Sequence, residues 1–212
     1  THVFHVDCAD ADDLTKAEIE GRRNIRAVLD LLRTYGPKDR PYALAALPSY
    51  IGIRETRHIQ GRYCLTVDDV LFGKSFDDAV ANGSYRVDVH SADRPGVLFR
   101  YLNGEEVYER LGFPLERGRW RDDGGPYPTC YQIPYRCLIP GDGRFGNVIA
   151  AGRMLDADEG AFGAVRVMVN TNQMGEAAGV AAYLALEADL AFDRVPAARL
   201  RDTMARGGSI VL

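Results

Sequence analysis

Residues 147–186 read NVIAAGRMLDADEGAFGAVRVMVNTNQMGEAAGVAAYLAL, and their reading decides the fold class. Residues 147–152 are a short apolar run closed by Gly152, the pattern of a fully buried strand. Residues 173–188 are mostly Ala and Gly, long enough to predict a helix. Strand, loop and helix together make an α/β unit, and in open α/β sheets ligands bind beyond the carboxyl ends of the strands. Gly152 stands at that end and allows close backbone approach. The helix is expected to open at Met174, Gly175, Glu176 and Ala177, where first-turn N–H groups lack helical partners and carry partial positive charge. Such a turn suits an electron-rich oxygen. Small residues at Gly175, Ala178 and Gly179 leave room for a flat ring against the backbone. They would equally permit tight packing of helix on sheet, and spacing alone does not choose.

Just upstream, Gly141, Gly143 and Gly146 spell G-x-G-x-x-G. A dinucleotide fingerprint needs a strand before it and a helix after it. Here a proline-containing stretch precedes and an apolar run follows, so the glycines read as a turn cluster. YQIPYRCLIP at 131–140 reads as extended and interrupted by prolines. Residues 91–130 read as irregular, with a short hairpin at Asn103-Gly104. In residues 84–90, SYRVDVH, Tyr85, Val87 and Val89 share one strand face and Arg86, Asp88 and His90 the other. Capped turns are expected at Thr66 with Asp69 and at Ser75 with Asp78, the second ending at Asn82-Gly83. Residues 51–63 read as extended with a break at Gly61. A helix is expected to start at a capping box of Thr15 and Glu18, stapled by Leu14 and Ile19, and to stop at Gly36-Pro37. Residues 2–7 read as a strand. A last helix is expected from near Pro196 to Gly207. The fold class is therefore α/β, as an α+β mixture, with a division at 130/131.

Composition excludes several functions. The chain has 212 residues, 46% hydrophobic and 26% charged, with a net charge of -4. A chain of this size buries roughly 70% of its unfolded surface without staples. No basic run exceeds the pair Arg22-Arg23, so a nucleic-acid surface is not expected. No stretch approaches the ~18 apolar residues of a membrane span, and a cytoplasmic location is expected. Cys8, Cys64, Cys130 and Cys137 lack metal or redox spacing and read as free, buried thiols; no metal site is expected. Asp10, Asp12 and Asp13 lack the glycine and glutamate of a calcium loop. The chain opens on Thr1 in strand-like sequence, which suggests truncation or processing.

The pattern at 147–186 resembles the C-terminal signature of the FAD-dependent oxidoreductase family with a glutathione-reductase-like flavin fold. Ala151-Gly152-Arg153, Ala164-Val165-Arg166-Val167 and the run from Gly175 to Ala182 carry it, and GIRETRHIQGRYCLTVDDVLFG, GSYRVDVH and IPYRCLIP resemble the family's upstream segments. His58 stands where a second arginine is common, and the loop near Asp158-Glu159 lacks the usual histidine. The resemblance implies the C-terminal half of an FAD-binding domain over 131–212 and a substrate or cap-like segment over 1–130. It implies FAD as cofactor, a small-molecule substrate, and a partner polypeptide or missing N-terminal half carrying the true fingerprint.

Under that resemblance Gly152, Arg153, Arg166, Met174, Gly175, Glu176 and Ala177 face the cofactor. Asp88 and His90, two apart on one strand, are candidates for proton transfer, with the carboxylate orienting the imidazole. Tyr135 is a further catalytic candidate, and Arg136 and Arg57 are candidates for binding substrate. Arg57 shares a face with Ile53 and Ile59 and is expected to be buried and paired. Two rivals remain: a non-catalytic subunit or fragment that holds no flavin, and a hydrolase using Thr1 as nucleophile.

Overall fold

The computed structural model describes residues 2–90, 95–122 and 124–212. Thr1, and with it the hydrolase reading, lies outside the described residues. The chain divides into two compact units, Thr1–Arg57 and His58–Leu212. The expected boundary at 130/131 falls inside the second unit, where strand pairing crosses it.

The first unit is built on one helix, α1 (Ala11–Tyr35), capped by Asp10, whose carboxylate accepts from the N–H groups of Asp12 and Asp13. The helix thus starts four residues before the expected box. Thr15 lies inside it, its hydroxyl donating to Ala11 O at 2.8 Å. Asp10 wins because its carboxylate accepts two first-turn N–H groups and is complemented by Asp12 and Asp13 behind it. Glu18 instead accepts from the Ile51 N–H. Gly36 ends the helix as expected, its N–H bonded to Leu32 O. Residues 2–7 do not form a strand; His5 has φ +59°, which breaks the extended run.

The second unit holds α2 (Val67–Leu71), β1 (Ala79–Gly83), β2 (Val87–His90), β3 (Val97–Arg100), β4 (Glu105–Glu109), β5 (Glu116–Arg119), β6 (Tyr131–Pro134), α3 (Glu159–Val165), α4 (Met168–Ala188) and α5 (Ala197–Arg206). β1 and β6 form an antiparallel ribbon with a bulge near its start, and β2 to β5 form an antiparallel meander. α4 packs on β1 and on α5, while α3 packs on β2 and α2. The fold is therefore a mixed α and β structure with antiparallel sheets, in the class expected.

Several local expectations hold. Thr66 and Asp69 form the reciprocal capping box of α2. The hairpin at Asn103-Gly104 forms, with Gly104 at φ +83° and the Asn103 side chain accepting the Glu105 N–H. α5 lies between Pro196 and Gly207. Residues 141–146 are an exposed turn with no helix behind it, so the glycine triplet there is no fingerprint.

Others are corrected. The second capped turn is replaced by β1, because residues 79–83 find a ladder partner in β6. Residues 91–130 are less irregular than expected, since β3, β4 and β5 lie within them. The run 147–152 is not a strand: Asn147 and Val148 are exposed, and its backbone bonds are isolated ones, Ala150 N–H to Leu138 O at 2.9 Å and Leu155 N–H to Gly152 O at 3.2 Å, with no ladder. An apolar run becomes a strand only beside a partner, and composition cannot supply one. The loop before the long helix contains α3, and α4 begins at Met168 rather than near Met174.

The core of the second unit gathers Leu65, Val70, Tyr131, Ile133, Leu138, Leu155, Met174, Leu200 and Met204. On α4 the buried positions are Asn170, Met174, Ala177, Ala181, Leu184 and Ala185, one helical stripe. Alanine on that stripe brings α4 close to the β1/β6 ribbon, whereas Gly175 and Gly179 face outward. The four cysteines are free as expected, but of the four only Cys137 is buried.

Candidate functional site

The α3–α4 junction, residues 164–170, is where the chemistry-bearing side chains converge. α3 meets β2 at Gly163, where a Cβ would stand 2.5 Å from Asp88 O. That contact brings Arg166, at the end of α3, onto Asp88: Nη2 lies 3.3 Å from Asp88 O and 3.5 Å from Asp88 Oδ1. Both side chains are largely shielded, 13% and 15% exposed. The Tyr85 hydroxyl donates to the other Asp88 oxygen at 3.3 Å. Burial first, and the Asp88 charge next, push the Tyr85 phenol above its ordinary value.

Beneath this pair lies a second layer. Tyr131 donates to Ala164 O at 3.0 Å, and Asn170 Nδ2 donates to the Tyr131 oxygen at 3.0 Å. Burial pushes the Tyr131 phenol up to about 12. Asn170 is fully buried, and its Oδ1 has no partner among the described residues. Sequence reasoning missed both residues, although Asn170 stands out as the one amide on an otherwise apolar stripe.

The first turn of α4 follows directly. Val167 caps it without a side-chain hydrogen bond, and Met168 and Val169 are exposed. Asn170 and Thr171 return their N–H groups to Val167 O, while those of Met168 and Val169 have no hydrogen-bond partner among the described residues. Val169 borders an open cleft of about 570 Å³ lined also by Asn82, Gly83, Ser84, Tyr85, Arg86 and Tyr101.

The sequence-predicted residues distribute unevenly. Asp88 and Arg166 are brought together, but Asp88 faces Arg166 and Tyr85 and so is not the orienter of an imidazole that the strand spacing suggested. His90 is half-buried at the end of β2, paired in register with Val97. Gly152 has φ +94° with open space around it, and Arg153 beside it is exposed. Met174 and Ala177 are buried, Gly175 and Glu176 exposed, and all four sit more than a turn inside α4. Their N–H groups are spent on carbonyls one turn back, so the expected backbone donation there is overturned. Glu176 accepts from the Ser209 hydroxyl.

Tyr135 is not at a rim. It is buried, donates to Phe192 O at 3.0 Å, and burial drives its phenol well upward. Arg136 belongs to a different cluster: its N–H donates to Asp78 at 3.1 Å, and its guanidinium lies 4.9 Å from the Tyr63 ring centre. There Lys74 bridges the Tyr63 hydroxyl and Asp69 at 2.6 and 2.9 Å. Arg57 is exposed, not buried, so it needs no enclosed counter-charge. Among the described residues, no group of three or more His, Cys, Asp or Glu is placed to hold a metal ion.

A family model described as FAD dependent oxidoreductase matches residues 1–204, nearly the whole chain and all of this junction. The chain belongs to the FAD-dependent oxidoreductase family. No curated protein and no solved structure matches it. For an FAD-dependent oxidoreductase the family implies an FAD cofactor. Of the residues present, Met168 and Val169 at the start of α4 carry N–H groups with the chemistry to meet an electron-rich carbonyl of such a cofactor. Among the described residues no helix is long and apolar enough to cross a membrane.

Proposed function

We propose that this chain supplies the flavin-ring and substrate side of an FAD-dependent oxidoreductase that oxidises a small organic molecule, with the ADP half of the cofactor held by a partner polypeptide or further sequence. The observation that carries the reading is the Asp88–Arg166 pair set one residue before the uncapped turn of α4, in a chain the family model matches over residues 1–204. Bound flavin supplies the hydride-accepting chemistry. The chain's own residues do the rest. Met168 and Val169 offer N–H groups to the pyrimidine end, in place of Gly175 to Ala177. Arg166, held by Asp88, fixes a guanidinium beside them. His90, on the strand that carries Asp88, is the proposed acceptor for the substrate's proton. Gly152 and Arg153 keep their proposed place on the cofactor side. Tyr135 leaves the catalytic set, because its hydroxyl is committed to Phe192.

The rival, a chain that folds but holds no flavin, draws support from Tyr135, whose hydroxyl is spent on an internal partner. Visible absorbance separates the two. A yellow protein that releases FAD on denaturation, or a colourless one that turns yellow with FAD and its complementary polypeptide, supports the enzyme. A chain that stays colourless under both conditions sinks it. Arg166→Gln should weaken flavin uptake by about tenfold while circular dichroism stays native.

A further inference from the structure

Arg86 is unlike the other arginines that meet β2. Arg100 and Arg166 each reach a carboxylate, Glu106 and Asp88. Arg86 has no ion pair or side-chain hydrogen bond among the described residues, and its Nε is buried without a partner. Aromatic rings hold it instead: Cζ lies 4.0 Å from the Phe99 ring centre and 5.5 Å from those of Tyr85 and Tyr101. Rings engage the face of a guanidinium and leave its in-plane N–H donors unspent. A half-buried charge without a counter-ion is unfavourable, so the arrangement is complete only with an anion from outside.

The cleft is made for one. Arg86 lines it, no carboxylate is among the residues that do, and Asn82, Ser84 and the two tyrosines supply neutral polar and aromatic walls. Its volume of about 570 Å³ suits a small molecule. Val169 brings the positive end of α4 to the same rim. We propose that Arg86 binds the carboxylate of a small organic acid in this cleft, with the body of the acid against Tyr85 and Tyr101, and that the substrate of the enzyme is such an acid. The planar fork of arginine matches a carboxylate edge to edge, and the rings hold that fork in place before the ligand arrives.

The identification of the ligand as substrate rests on the oxidoreductase reading; the binding itself needs no flavin, so the two fail separately. Benzoate, neutral benzamide and inorganic phosphate are titrated calorimetrically into the full chain and into Arg86→Gln and Arg86→Lys. Benzoate should bind, benzamide about tenfold or more weaker, and Arg86→Gln should lose benzoate affinity by a similar factor. Arg86→Lys keeps the charge without the fork and should fall between; it carries the comparison if Arg86→Gln does not fold by circular dichroism. Equal affinity for benzoate and benzamide, benzoate binding indifferent to Arg86, or phosphate bound in preference to benzoate would overturn the proposal. A chain that takes up flavin yet ignores benzoate overturns it alone. Arg86-dependent benzoate binding in a chain that never holds flavin sustains the site and removes the oxidoreductase reading instead.

Discussion

Tyr131 shows how a single hydroxyl ties the junction together. Its O–H donates to Ala164 O, and Asn170 Nδ2 donates to the Tyr131 oxygen and, at 3.3 Å, to Ala164 O, so the three buried groups form one closed set. Tyr131→Phe should cost about 1–3 kcal/mol in urea denaturation at neutral pH, since it leaves Asn170 short of a partner. The same residue sets a pH dependence. Burial raises its folded value from 10.0 to about 12, so its contribution is intact below 10. Between those values the unfolded tyrosine ionises while the folded one stays neutral, and stability falls as pH rises. The wild-type chain should lose stability across that interval more steeply than Tyr131→Phe; parallel curves for the two would show that this phenol is not what titrates. At this scale the sequence was partly legible. Asp88 and Arg166 were each singled out in the sequence and the fold brings them together, but their pairing was not legible, because a contact across 78 positions of chain leaves no mark in either residue's neighbourhood. Arg86 was read only as one member of an alternating strand.

At the scale of elements, glycines that look alike in sequence do opposite things. Gly163 is where α3 touches β2, and a methyl there would meet Asp88 backbone atoms at 2.5 to 3.1 Å. Gly163→Ala should destabilise by about 1–3 kcal/mol and separate Arg166 from Asp88. Gly175 and Gly179 face open space in the middle of α4. Replacing either by alanine should stabilise by about 0.5–1 kcal/mol through helix propensity. Denaturation midpoints check both directions, and flavin uptake adds a second reading: it should survive Gly175→Ala, because the proposed donors are at Met168 and Val169. Loss of uptake in that variant would return the flavin ring to the glycine face. Helix ends with local signals were readable, as at Thr66, Gly36 and Gly207. The start of α4 was not, because Val167 caps it with no side-chain signature and packing alone sets where it begins.

For the whole molecule, the two units differ in how much they bury. In the first, α1 has 25 residues and a single buried one, Ala17. In the second, α4 lays a full apolar stripe on the β1/β6 ribbon. Hydrogen exchange should therefore be fast along α1 and slow along the buried face of α4 and in β6, since opening free energy follows buried contacts. Equal protection in α1 and α4 would contradict this. Family membership, the mixed fold class, the hairpin, α5 and the false glycine fingerprint were all determined by the sequence itself, because each rests on local pattern: spacing, caps, turn residues, or blocks of residues kept in order. The tertiary structure alone decided that 147–152 has no ladder partner among the described residues, that Tyr135 faces an inward partner, that Asp88 belongs to Arg166, and that Arg86 stands in an aromatic cleft with no counter-ion among the described residues. Each of those depends on which distant backbone arrives beside a residue, and burial and hydrogen bonding are settled by that neighbour rather than by the residue's own place in the chain.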